Sequence, residues 1–136
     1  MIRRTLALPP TRRGLHDITT EVSAVVAASG VRVGLCHVFV QHTSASLTIQ
    51  ENADPDVLVD LEGWFARAVP DGDPRYRHRD EGPDDMSAHI RSALTQTSLW
   101  VPIDDGRLAL GTWQGLYLYE HRTAPHQRRI VISILD

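Results

Sequence analysis

The sequence predicts an α+β domain whose strands form mainly antiparallel sheets. Three observations carry that expectation. The elements run strand, helix, two or three strands, two helices and then several strands, without regular alternation. Consecutive strands near the C-terminus are joined by a strong hairpin signal, Asp104-Asp105-Gly106. The 136 residues, 42% hydrophobic and 23% charged, have ordinary globular usage and the length of one domain, 1–136. Area scaling gives a folded surface of roughly 7,000 Å², enough for a core without disulfides or a structural metal.

Each element has a local cause. Ile2 to Leu8 alternates loosely and is stopped by Pro9-Pro10. Thr19 or Thr20 can cap a helix to about Ser29, with Val22, Val25 and Val26 as its stripe and Gly30 as its stop. Val33 to Val40 reads as a strand, and Ser44 to Glu51 as a third strand or a bent continuation. The parity of the apolar positions switches at His42-Thr43: Val38 and Val40 share a face with His42, whereas Ala45, Leu47 and Ile49 lie on the opposite parity. A period of two cannot switch without a bulge or bend, which places His42 at a special point.

Asp54-Pro55 is a helix start, followed at helical spacing by Val57, Leu58, Leu61, Trp64 and Phe65 and ended before Pro70. The next stretch, PDGDPRYRHRDEGPDD, is too polar and broken for an element, and its length suggests a functional loop. A further helix starts at Asp84 or Asp85, with Met86, Ile90, Ala93 and Leu94 facing inward. Ser98 to Ile103, Arg107 to Leu110, Gly115 to His121 and Arg128 to Leu135 complete the strands.

Composition excludes several chemistries. All 14 basic residues are Arg, so Schiff-base catalysis, a lysine base and a phosphate-loop lysine are absent. A net charge of −3 argues against a dedicated nucleic-acid binder. Val22 to Ala28, the longest apolar stretch, is too short for a bilayer, and no adequate apolar run precedes Pro9. A soluble cytoplasmic chain with no membrane partner is expected. The single Cys36 forbids an internal disulfide and reads as a buried thiol.

Seven histidines are the richest signal. His42 stands at the bend, His78 lies in the acidic loop, and His89 borders the apolar face of the third helix. Asp85 is four residues before His89 and can share its face, where a carboxylate can fix an imidazole's tautomer. Three imidazoles with one open position would suit zinc or a related metal, although no HExxH or paired-cysteine pattern supports it. Thr43, Ser44 and Ser46 read as hydroxyl donors within the bend or to a ligand, since no GxSxG elbow accompanies them. Gly111 to Gly115 reads equally as a ligand corner or as a bend with Trp113 in the core. His16, His37, His121 and His126 read as structural.

The strings QHTSASLTIQENADPDV (Gln41 to Val57), YRHRDEGPDDMSAHI (Tyr76 to Ile90) and LGTWQGLYLYEHR (Leu110 to Arg122) closely resemble the YjbQ family, also labelled secondary thiamine-phosphate synthase. The resemblance covers nearly the whole chain in the same order. It implies a compact α+β fold with two mixed sheets, assembled as a homotrimer, and a metal-containing pocket near the subunit boundaries. The family motifs correspond to His42, His78 and His89 as metal ligands here. Glu51, Asn52, Asp84, Asp85 and Thr112 to Gln114 also fall on motif positions, and Gln50 stands where the family usually has Asn.

The activity implied is thiamine-phosphate synthesis, joining a pyrimidine pyrophosphate to a thiazole phosphate with release of pyrophosphate. A phosphorylated small molecule is then the expected ligand, contacted by Thr43, Ser44, Asn52, Thr112, Trp113 and Gln114. Three histidines favour zinc, with manganese, nickel or iron as alternatives; magnesium suits pyrophosphate but prefers oxygen ligands. That tension leaves a metal-dependent phosphoesterase or hydrolase as an alternative, with Glu51 or Asp85 as base on a metal-bound water. A non-catalytic protein that binds a metal or metabolite is the competing class.

Overall fold

The computed structural model describes residues 1–136, and its elements follow the expected order with one addition, a second strand ahead of the first helix. They are β1 (Ile2–Ala7), β2 (Gly14–Asp17), α1 (Thr19–Ser29), β3 (Gly34–Val40), β4 (Ala45–Glu51), α2 (Pro55–Ala68), α3 (Asp85–Leu94), β5 (Ser98–Asp104), β6 (Arg107–Leu108), β7 (Gln114–Glu120) and β8 (Arg129–Leu135). One sheet has the order β1-β8-β3-β5-β6 and the other β2-β7-β4. All six strand ladders are antiparallel. No helix is long and apolar enough to cross a membrane.

The switch of parity at His42-Thr43 marks a change of sheet. β3 ends at Val40 inside the larger sheet, and β4 begins at Ala45 inside the smaller one. Cys36, Val38 and Val40 therefore meet Ala45 and Leu47 in one core with Ile130, Ile132 and Ile134 of β8. Each strand contributes alternate residues to that core, as the pleat requires. The Cys36 thiol is fully buried in it, and burial pushes its pKa up to about 11, which makes it an inert packing group.

Local chemistry explains the boundaries. Asp54 caps α2 by accepting from Asp56 N at 2.9 Å, with Pro55 next in the first turn. The β5–β6 hairpin turns through Asp105 and Gly106, both at positive φ (48° and 75°), the geometry that a two-residue Asp-Gly turn supplies. Neither threonine caps α1. Ile18 occupies that position, Thr19 N donates to Asp17 Oδ1, and Thr19 Oγ1 accepts from Leu116 N at 2.9 Å.

α3 differs most from expectation. Its buried residues are Asp85, Ser87, Ala88, Arg91 and Ser92, while Leu94 is 59% exposed. Polar partners decide which face turns inward. Ser92 Oγ donates to Ala45 O, Ser87 Oγ to Asp71, and Arg91 NH1 to Glu62 Oε1 on α2. Of the donors on this face only Arg91 Nε lacks a partner, and an apolar-face rule does not anticipate such a polar inward surface.

Candidate metal centre

α3 begins where the acidic loop ends, and that junction assembles the site. Asp85, in the first helical turn, is buried, and its two carboxylate oxygens have different neighbours. Oδ1 accepts from Arg122 NH1 at 2.8 Å. Oδ2 lies 2.6 Å from His78 Nε2 and 3.1 Å from His89 Nε2. One donor atom from each of His78, Asp85 and His89 falls within 4.8 Å of the others, the spacing of a metal-ligand set. The two imidazole rings meet edge to face with centroids 5.5 Å apart.

His89 is fixed from behind. Its Nδ1 lies 3.0 Å from Thr43 O, a carbonyl that can only accept, so Nδ1 carries the proton. In a neutral imidazole, Nε2 then presents its lone pair to Asp85 Oδ2, another acceptor. The arrangement is electrostatically complete only with a cation at that point, either a second proton on the ring or a metal ion.

Neighbouring charges keep Asp85 ionised. Burial opposes this, but the hydrogen bond to His78 and the charges of Arg122 and His89 outweigh it and hold the carboxyl below its ordinary range. Asp84 braces the same arginine. Burial works against its ionisation too, yet Thr123 N, Thr123 Oγ1 and Arg122 Nε all donate to Oδ2, and the pKa falls to about 2. Arg122 in turn launches from a backbone pinned by Glu120, whose Oε2 accepts from His121 N at 2.9 Å and Arg122 N at 3.2 Å. Glu120 is fully buried and paired with Arg128 at 2.5 Å.

His42 lies outside the cluster, so the structure does not bring the three imidazoles together. Its Nε2 accepts from Arg129 N at 2.8 Å, so in the neutral ring the proton is on Nδ1 and neither nitrogen offers a free lone pair. It lines a shallow cavity of about 260 Å³ together with Thr43 and His89. Burial and the charge of Arg128 lower its pKa. Asp85 takes the place in the cluster that the sequence reading gave to His42.

The remaining candidates divide by position. Thr43 contributes its carbonyl to His89. Ser44 accepts from Arg128 NH2 through both its carbonyl (3.1 Å) and its hydroxyl (2.9 Å), so it serves the buried ion pair. Glu51, Asn52, Thr112, Trp113 and Gln114 lie at the far end of the smaller sheet, where Glu51 pairs with Gln114. β4 separates them from the cluster by about 20 Å within one chain. There Glu51 Oε2 accepts from Asp54 N at 3.1 Å, and Asn52 Nδ2 donates to Thr112 O at 3.2 Å. Trp113 is 63% exposed, so it is not a core residue. Arg122, which braces the cluster, is absent from the residue-level reading although it lies within a motif string, whereas Asp84 enters there only as a helix start and a motif position.

The sequence profile of the family described as UPF0047 protein YjbQ-like matches residues 4–136. The chain is 58% identical over 129 residues to the UPF0047 protein sll1880 of Synechocystis, covering 95% of this chain and 88% of that one. It is 38% identical over 133 residues to the UPF0047 protein YugU of Bacillus subtilis, covering 97% and 98%. Among solved structures, the conserved hypothetical protein TT1486 of Thermus thermophilus superposes with a TM-score of 0.87 at 37% identity, covering 97% of this chain and 99% of that one. An uncharacterized conserved protein of the yjbq/upf0047 family from Clostridium acetobutylicum gives 0.84 at 36% identity, covering 99% and 100%. All of these names except that of the Thermus protein carry the family designation, and none states a catalytic activity. The expected synthesis of thiamine phosphate from phosphorylated substrates is corrected accordingly, and that activity is not carried over. On the match to residues 4–136 and the identity to full-length relatives, the chain belongs to the UPF0047 YjbQ-like family.

Proposed function

We propose that this protein binds a divalent transition metal, zinc in first place, through His78 Nε2, Asp85 Oδ2 and His89 Nε2. One observation carries the reading: His89 faces an acceptor with each ring nitrogen, Thr43 O at 3.0 Å and Asp85 Oδ2 at 3.1 Å. Two imidazole nitrogens and one carboxylate form a donor set known for zinc and non-haem iron, and both metals keep open positions in such sites. Thr43 fixes one ligand and Arg122 another, the outer support that metal sites generally require. Bound there, the ion would supply a Lewis acid beside the loop that precedes α3.

Metal analysis of untagged protein tests this. About one ion per chain is expected in the wild type, and loss of that ion in the His78→Ala/His89→Ala double variant. Full retention of metal by a folded double variant would overturn the assignment.

The protein acts as a homotrimer in this reading, and the outer face of the larger sheet supports association. Leu35 and Phe39 on β3 are 44% and 39% exposed, and Trp100 on β5 is 54% exposed. His37 stands between the two β3 residues and packs its ring 4.4 Å from Trp100. A contiguous apolar patch on a sheet face marks a contact surface rather than a solvated one.

A further inference from the structure

We propose that the loop from Gly72 to Pro83 is a binding pocket for a small monocarboxylate with a flat apolar body, in which Arg79 holds the carboxylate. The loop is closed on itself: Gly72 N donates to Pro83 O at 2.9 Å, Tyr76 N to Asp73 O at 3.0 Å and Gly82 N to Arg79 O at 3.2 Å. Compact loops built this way are frequently functional. Its interior is a cavity of about 370 Å³, within the range of small-molecule sites, walled by Pro74, Tyr76, His78, Arg79 and Pro83. The two prolines and the tyrosine ring give it flat, apolar sides.

The charges on this wall are unequal. Asp73 is neutralised in place: its Oδ1 accepts from Arg75 N at 2.9 Å and Nε at 3.0 Å, and its Oδ2 from NH2 at 2.6 Å. Arg79 has no carboxylate partner. Its Nε donates to Tyr76 O at 2.7 Å and its NH2 to Pro74 O at 2.6 Å, so two carbonyls of its own loop fix the guanidinium plane and NH1 has no protein partner. A preoriented, uncompensated guanidinium selects a planar anion. It is the one unpaired cation on the wall, and a single guanidinium compensates a single negative charge, which favours a monoanion over a dianion. His78 belongs both to this wall and to the donor cluster, so the ligand lies beside the metal; that placement rests on the metal reading, whereas the Arg79 contact does not.

Benzoate is the probe, titrated by NMR or calorimetry against zinc-loaded and chelator-treated protein, with zinc content measured in parallel. Saturable binding is expected, weakened about tenfold in Arg79→Gln with zinc uptake unchanged, since a charge-assisted hydrogen bond is lost. Arg79→Lys keeps the charge without the planar fork and should fall between the two. Failure of benzoate to saturate, or equal affinity in Arg79→Gln, would overturn the pocket even with zinc uptake intact. Inorganic phosphate binding more tightly than benzoate would overturn the monocarboxylate. Arg79-dependent benzoate binding in protein that takes up no zinc would uphold the pocket and overturn the metal reading alone.

Discussion

Arg122 NH1 holds Asp85 Oδ1 at 2.8 Å and thereby leaves Oδ2 alone to face His78 and His89. The guanidinium also spans Asp84 and Glu81 O, so it is itself immobilised. In Arg122→Gln the carboxylate loses both its orientation and a compensating charge. Metal affinity should fall about 10- to 100-fold, the usual cost of removing an outer support. Competition against a chelator of known affinity measures it, and unchanged affinity would show that Asp85 needs no clamp.

His42→Ala should leave metal content unchanged. The imidazole accepts from Arg129 N at 2.8 Å and is outside the donor cluster, so the loss is a strand-end hydrogen bond worth about 1 kcal/mol. Loss of the ion in this variant would return His42 to the ligand set.

The difference between His89 and His42 shows how far the sequence could be read. The i, i+4 spacing of Asp85 and His89 needed only helix geometry, and the Asp54-Pro55 cap and the Asp105-Gly106 turn needed only local backbone preferences. The bend at His42 was legible as a parity switch, but its destination in a second sheet was not, because strand pairing depends on partners distant in sequence. For the same reason Arg122 escaped notice. Its contact with Asp85 crosses from the end of β7 to the start of α3, and no local pattern records it. The inward face of α3 differs from the expectation because hydrogen-bonded buried serines and an arginine paired with Glu62 outweigh the apolar stripe.

Trp100→Glu combined with Phe39→Glu should dissociate the assembly. Both side chains stand on the outer sheet face, where new charge in a dry interface goes unpaired. Light scattering should give about three times 15.2 kDa for the wild type and a single chain's mass for the variant, with circular dichroism unchanged. A wild-type monomer would remove the trimer from the proposal.

Arg128→Met should destabilise the fold by about 3–5 kcal/mol, because it leaves the fully buried Glu120 carboxylate without its partner. The double variant Arg128→Met/Glu120→Leu should regain much of that loss, since no buried charge then remains. Urea denaturation distinguishes the two, and equal stability of the single and double variants would show that the charge is compensated elsewhere.

His121 sets a pH dependence of its own. Its Nε2 lies 2.8 Å from Ser46 Oγ, which meets Thr95 Oγ1 at 2.6 Å, and Thr95 in turn lies 2.9 Å from Arg91 O. Thr95 Oγ1 donates to Ser46 Oγ, and the Ser46 hydroxyl is the hydrogen-bond partner of His121 Nε2. Nδ1 is buried without a partner. Burial foremost, with the nearby charges of Arg91, Arg13 and Arg128, lowers the His121 pKa from its ordinary 6.5 to about 3. The unfolded chain takes up this proton before the folded one does. Stability from this group is complete above pH 6.5 and declines as the pH falls toward about 3, with a limiting slope of about 1.4 kcal/mol per pH unit. His121→Gln should flatten that part of the urea-midpoint profile between pH 6.5 and pH 3 and leave the neutral region level. An unaltered profile would mean that His121 does not govern the acid limb.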